Sequence, residues 1–377
     1  MSKKLLYVFG IIIVLIIGFQ ILKFLDSQSK EDTILNIGVI ASVTGSGAPY
    51  GRNSLQGIQL AVEEINNSGG INGNQVKILL QDDSTEARQA VSAFEKLISI
   101  YNVKLVIGPA SSSGVMACAP IANEKQIVIL SPGAASPNIS EAGDFIFRNR
   151  ASGTQEALET ARFVLFKLNR KTSAILRIQT DYGVGFEKIF QNEFVRGGGR
   201  ILGSEVFQQG ATDMRAQILR LKRLNPQTIY LVGVPGEVSR ALIQMKELSF
   251  TPIILTNNME SPELIKNAGD AAEGIYFAIP KYNTKSKDSR FLNFAKSYRE
   301  HFNSDPDMFA ADGYDAVFLV KRAIETHGKL GSQIRDGLYA IKNFPGVYGA
   351  ISIDRNGDVI KPLVIRTVQK GKFINIE

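Results

Sequence analysis

From residue 34 onward the chain alternates short apolar runs with longer amphipathic stretches. Ile34–Ala41, Val76–Gln81, Val103–Gly108 and Ile127–Leu130 are nearly continuous apolar runs bounded by Gly, Pro or Ser, the pattern of strands buried on both faces of a parallel sheet. Between them Ser54–Asn66 sets Leu55, Ile58, Ala61, Val62 and Ile65 on one helical stripe. Thr85–Ser99 does the same with Ala90, Phe94, Leu97 and Ile98, behind Asp83 and Glu86 as a capping pair. The same grammar restarts after about residue 153, with strand-like Ser173–Ile178, Ile201–Phe207, Thr228–Gly233 and Pro252–Leu255. Phe186–Arg196, Asp213–Leu224 and Glu237–Leu248 read as the intervening helices. A repeated βαβα order predicts an α/β fold of two doubly wound, Rossmann-like lobes. No Pro- or Ser-rich connector divides them, so the lobes are expected to be closely coupled.

Ahead of this pattern stands an apolar run, Leu5–Leu25, preceded by Lys3 and Lys4. At helical rise it spans roughly 31 Å, enough to cross a hydrocarbon core. It offers no small-x-small cleavage pair and has no cysteine nearby for lipid attachment, so an uncleaved single-pass anchor is expected in preference to a removed signal peptide. Asp26, Glu31 and Asp32 lie after the run, which puts the amino terminus in the cytoplasm and the remainder outside.

Composition narrows the function classes. The 377 residues, 44% hydrophobic and 21% charged, are ordinary for a globular chain large enough for two full cores. The net charge of +7 comes from scattered Lys and Arg without a basic run, so nucleic acid is not an expected partner. Cys118, the sole cysteine, lies in an Ala/Val/Met-rich segment where a buried thiol acts as a small hydrophobe. His301 and His327, the only histidines, offer no metal spacing and no triad, and no acid/base pair can be named, so no enzyme is expected.

In doubly wound sheets ligands sit beyond the carboxyl ends of the strands. The segments there are Val43–Gly51, Gly108–Gly114 and Ser131–Pro137, all rich in Gly, Ser, Ala and Pro. Small residues let a ligand reach the backbone, and their N–H groups and hydroxyls are donors. A helix starting near Ser112 adds the positive end of its dipole, so a carboxylate is the natural guest. The glycines Gly45, Gly47 and Gly51 also resemble a dinucleotide fingerprint, but Pro49 and Tyr50 crowd the turn a pyrophosphate would need.

Several segments together resemble the periplasmic leucine/isoleucine/valine-binding protein family. They are Gly38–Ala41 with Thr44-Gly45 and Tyr50-Gly51, Gly69-Gly70-Ile71-Asn72-Gly73, Asp82-Asp83, Ile107-Gly108-Pro109 with Ser111–Gly114, Ser131-Pro132, Asp181-Tyr182-Gly183 and Gly313-Tyr314-Asp315-Ala316. The resemblance implies a type I periplasmic binding protein fold whose lobes are joined by three crossovers, near Ser152, Lys281 and Gly349. The division it implies is an anchor and linker at 1–33, lobe one at 34–152 and 282–349, and lobe two at 153–281 and 350–377. It implies a protein without cofactor that traps a small polar ligand, an amino acid or related carboxylate or amide, and delivers it to the permease of an ABC-type importer. A ligand-sensing module working through a separate membrane partner is the alternative. By residue, the resemblance places the ligand carboxylate on Ser112, beside Ser111, and on the backbone of Gly133, Ala134 and Ala135. Tyr50 and Tyr182 line the cleft from glycine-flanked loops. Ala135, Val234 and Asn258 stand where amino-acid binders carry a threonine, a tyrosine and a glutamate. These departures lead to the expectation of a carboxylate site that has lost a strict demand for an α-amino group.

Overall fold

The computed structural model describes residues 34–257, 259–282 and 286–376. The expected anchor, Leu5–Leu25, lies outside the described residues; among those described, no helix is long and apolar enough to cross a membrane.

The first sheet is built by β1 (Leu35–Ala41), α1 (Ala48–Asn67), β2 (Val76–Asp82), α2 (Ala87–Ser99), β3 (Leu105–Ile107), α3 (Ser112–Lys125), β4 (Val128–Ser131) and β5 (Ile146–Arg148). Its order is β2-β1-β3-β4-β5 and every pair is parallel, so the strand order reverses beside β1, with α1 and α3 leaving from the strands that flank the switch. The helix expected from Ser54 begins six residues earlier, at Ala48, because Pro49 sits in its first turn, where a missing N–H costs nothing. The second helix has Glu86 as N-cap without a side-chain bond; Asp83 instead accepts from Ser42 Oγ at 2.6 Å and from the Thr85 amide at 3.0 Å, so the expected capping pair does not form.

The second sheet follows with α4 (Gly153–Arg162), β6 (Thr172–Ile178), α5 (Asp181–Arg196), β7 (Arg200–Phe207), α6 (Arg215–Arg223), β8 (Thr228–Val232), α7 (Pro235–Glu247), β9 (Ile253–Thr256), α8 (Pro262–Ala268) and β10 (Tyr276–Pro280). Then α9 (Ser289–Phe302), α10 (Met308–His327) and α11 (Gly331–Tyr339) pass back beside the first sheet, with a small hairpin of β11 (Phe344–Gly346) and β12 (Gly349–Ile351). Finally β13 (Leu363–Gln369) and β14 (Lys372–Ile376) close the second sheet antiparallel, in the order β14-β13-β10-β9-β8-β6-β7. The two sheets make two α/β lobes.

Helices α1 and α10 cross at glycine. A Cβ on Gly57 would lie 1.9 Å from the Ala310 carbonyl oxygen, and one on Gly313 would lie 2.2 Å from that of Ser54. The missing side chains therefore set the approach of the two backbones, which fixes the returning segment onto the first lobe. Ile351, Ile353 and Val359 remain in the core under the first sheet, with Ile37, Val39 and Leu130. Cys118 is fully buried in the packing between α2 and α3, and burial pushes its thiol up to about 12, far from a thiolate at neutral pH.

Candidate functional site

The carboxyl ends of both sheets face one cleft of about 820 Å³, measured out to its mouth. Every strand from β1 to β9 sends a residue into it: Ser42 after β1, Thr85 after β2, Ser112 after β3, Ala135 after β4, Arg150 after β5, Tyr182 after β6, Gln209 after β7, Val234 after β8 and Asn257 after β9. Doubly wound topology thus produces the site directly, because strand ends at a switch point leave their loops pointing apart around a gap.

On the first lobe the wall is made of main chain and short alcohols. Ser111 caps α3 and accepts from the Gly114 amide at 3.1 Å; Ser112 Oγ accepts from the Ser136 amide at 3.0 Å, which joins the loops after β3 and β4. The Ser112 and Ser113 amides, ahead of the Gly114 amide that Ser111 takes, have no carbonyl one turn back and belong to residues that line the cleft beside the positive end of the helix. Gly108 permits this, with φ at 102° and a hypothetical Cβ only 2.0 Å from the Ile40 carbonyl oxygen. Ser131 Oγ donates to the Pro109 carbonyl at 2.6 Å and accepts from the Ala134 amide at 3.0 Å, holding the two loops in register. The result is an anion cradle.

Aromatic and polar groups form the rest. Tyr50 stacks on Phe309 with ring centroids 4.3 Å apart, and its hydroxyl is buried without a partner among the described residues. Tyr182 packs against Phe186 at 4.6 Å and accepts a hydrogen bond from Asn257 Nδ2 at 2.7 Å. Burial raises the pKa of both tyrosines, so both stay protonated. Arg150, only 2% exposed, donates to Glu156 Oε1 at 3.0 Å and stands over the Phe309 ring at 5.3 Å. Burial works against its charge, but Glu156 and Asp312 hold the guanidinium protonated above its ordinary value.

Of the residues singled out from sequence, Tyr50, Ser111, Ser112, Gly133, Ala135, Tyr182 and Val234 line this cleft. Ala134 does not; it is buried in the core beneath the loop with its amide committed to Ser131. Asn258 lies outside the described residues; its neighbour Asn257 lines the wall. Tyr50 and Tyr182 were expected in loops, yet both sit in first helical turns, of α1 and α5, because Pro49 starts the one and Thr180 caps the other. Arg150, Phe309, Gln209 and Thr85 carried no sequence signal as cleft residues.

The lobes touch across the cleft mouth. Gln209 Nε2 donates to the Thr85 carbonyl at 3.0 Å and to Glu86 Oε1 at 3.3 Å, and Ser136 Oγ donates to the Asp181 carbonyl at 3.0 Å. Behind the cleft, Lys361 bridges Asp312 Oδ1 at 2.7 Å, and Asp315 accepts the Val347 amide at 3.0 Å. Burial pushes the Asp315 carboxyl up to about 7, against the pull of Lys361 and the Val347 amide. A raised carboxyl means the folded state keeps a proton that the unfolded chain releases. The stability it contributes is therefore whole below about pH 4 and lost as pH rises through about 7. Thermal melts from pH 4 to 8 are expected to show this decline, and Asp315→Asn, which still offers Val347 an acceptor, is expected to reduce it by at least half. An equal decline in both proteins would refute the assignment.

A family model described as periplasmic binding protein matches residues 34–372. Among curated relatives, the leucine-, isoleucine-, valine-, threonine- and alanine-binding protein of Pseudomonas aeruginosa is 27% identical over 341 residues, covering 89% of this chain and 90% of the relative. Among solved structures, the leucine-binding protein LivK of Thermotoga maritima superposes with a TM-score of 0.85 at 29% identity, over 91% of this chain and 98% of that one. The branched-chain amino acid transporter substrate-binding protein LivJ of Streptococcus pneumoniae, in complex with isoleucine, gives 0.81 at 28% identity, over 91% of this chain and all of that one (100%). With the match running from β1 to the last strand, two lobes and one cleft between them, the chain belongs to the periplasmic binding protein family.

Proposed function

We propose that this chain is the extracytoplasmic solute-binding component of an ABC-type importer, closing its two lobes on a small carboxylate-bearing solute and presenting the closed form to a permease. The observation that carries the proposal is the convergence of strand ends from both sheets on one cleft, with the α3 amides and Ser111–Ser113 on one side and Tyr182 with Asn257 on the other. A ligand that touches both walls shifts the lobes toward closure, and only the closed shape need be read by a partner. Relatives named for binding leucine, isoleucine and valine support a guest of amino-acid size. The apolar run Leu5–Leu25 is proposed to hold the protein at the membrane with the lobes outside.

Native mass spectrometry of protein purified from its own membrane tests both parts, through the mass of a co-purified solute and the presence of the Leu5–Leu25 peptide. Small-angle scattering then asks whether that solute compacts the protein. No co-purified solute, together with no compaction across amino acids, short-chain and aromatic acids and amides, would overturn the binding role. For the latch, Gln209→Ala removes two bonds that exist only between closed lobes. It is expected to weaken affinity about threefold to tenfold, chiefly through faster release, as net hydrogen bonds of roughly 1 kcal/mol would. Stopped-flow dissociation measures it, and an unchanged rate would show that the latch does not hold the closed state.

A further inference from the structure

We infer that Arg150 makes this cleft select acids that carry no ammonium group, an inference that rests on the proposed trapping of a carboxylate. A zwitterionic amino acid must bury its ammonium, and a buried ammonium needs a carboxylate or an equivalent set of acceptors. Among the described lining residues there is no Asp or Glu, and the one charged side chain is Arg150. The carboxylates beside Arg150, Glu156 and Asp312, do not line the cleft and are committed to cations. Glu156 Oε1 takes Arg150 Nη2 at 3.0 Å, while Asp312 takes Lys361 Nζ on Oδ1 at 2.7 Å and faces Arg150 Nη1 from Oδ2 at 3.9 Å. An incoming ammonium would meet the guanidinium that these two carboxylates hold in place.

The polar groups beside Arg150 are of the wrong sense for a cation. Tyr182 already accepts from Asn257 Nδ2, which leaves its hydroxyl proton to be given to the cleft. The Asn257 Oδ1 oxygen accepts the Gly233 amide at 3.0 Å, so the acceptor end of that amide is engaged as well. Guanidinium N–H groups and a tyrosine O–H together favour an oxygen or an apolar group at the ligand's α-position. The first-lobe cradle still takes the carboxylate, so the ligand is a monoanion rather than a zwitterion.

Calorimetry with matched pairs decides this: valine against isovalerate, leucine against isocaproate, and phenylalanine against hydrocinnamate, each pair differing only in the ammonium group. For every pair that binds, the deaminated acid is expected to bind at least tenfold more tightly. Asn257→Asp, which adds a carboxylate beside Tyr182, is expected to shift the preference at least tenfold toward the amino acid. Arg150→Gln is expected to narrow the gap about tenfold; if it fails to fold with Glu156 uncompensated, the double variant Arg150→Gln, Glu156→Gln removes both charges and serves in its place. Amino acids binding as tightly as their twins, with compaction in scattering, would overturn this inference and leave the solute-binding role standing, as would a primary amine in a co-purified solute. If no member of any pair binds, no solute co-purifies and scattering shows no compaction, the solute-binding role falls and this inference falls with it.

Discussion

Arg148→Met is expected to cost about 3–5 kcal/mol of stability and to weaken ligand binding as well. The guanidinium is fully buried and forms two bonds to one carboxylate, Nε to Asp358 Oδ1 at 2.6 Å and Nη2 to Oδ2 at 2.9 Å. Its remaining donors reach the Ser136 carbonyl at 2.7 Å and Ser140 Oγ at 2.8 Å. Removing the cation strands Asp358, only 10% exposed at its side chain, with Ser140 as its remaining side-chain donor. A buried charge that loses its partner costs far more than the pair contributed while intact, since both ions were already desolvated. The double variant Arg148→Met, Asp358→Leu is therefore expected to recover more than half of the loss in urea titrations. Binding suffers because Ser136 hangs from Arg148 on one side and from Ser112 on the other, so the loop that presents Gly133 and Ala135 loses its anchor. A double variant no more stable than the single one would show that the loss is one of packing and not of charge.

The same arginine shows where sequence reading stops. Strands β1, β4 and β8 are legible as apolar runs because they are covered on both faces, and the loops after β1, β3 and β4 are legible because close approach to a ligand demands small residues there. β5 is only three residues, Ile146–Arg148, and ends on a charge, so nothing in its local pattern separates it from a loop. Burial of Arg148 depends on Asp358, far away in the chain, and that of Arg150 on Asp312 as well as on its neighbour Glu156, pairings that no local pattern reveals. Phe309 reaches the cleft from α10, whose place beside α1 is set by Gly57 and Gly313, a fit visible only in three dimensions. On the lobe-two wall the sequence points to Asn258, which lies outside the described residues, and not to Asn257, which lines the cleft. A short strand end carries no periodicity to fix the position, whereas the hydrogen bonds of Asn257 to Gly233 and Tyr182 fix it in space.

Ser112→Asp is expected to abolish binding of a carboxylate ligand while leaving the melting temperature unchanged or slightly raised. Position 112 opens α3, where the cleft-facing amides and the helix dipole favour negative charge, so an aspartate is compatible with the fold and can accept the Ser136 amide as the serine hydroxyl does. It would occupy electrostatically the place proposed for the ligand's carboxylate. Two unit charges about 4 Å apart repel by roughly 4 kcal/mol at the effective dielectric of a partly wet protein site. That corresponds to about a thousandfold in affinity, beyond the loss of the hydroxyl itself. Ser112→Ala, which removes the hydroxyl without adding charge, is expected to lose far less. Because the new carboxyl is itself buried, protonation neutralises it, so binding to Ser112→Asp should recover as pH falls toward 4 while that of Ser112→Ala does not. Calorimetry at pH 7 and pH 4.5 with both variants separates the cases. If aspartate and alanine weakened binding equally and without pH dependence, the carboxylate would be bound elsewhere in the cleft, and the α3 amino terminus would serve only to shape the wall.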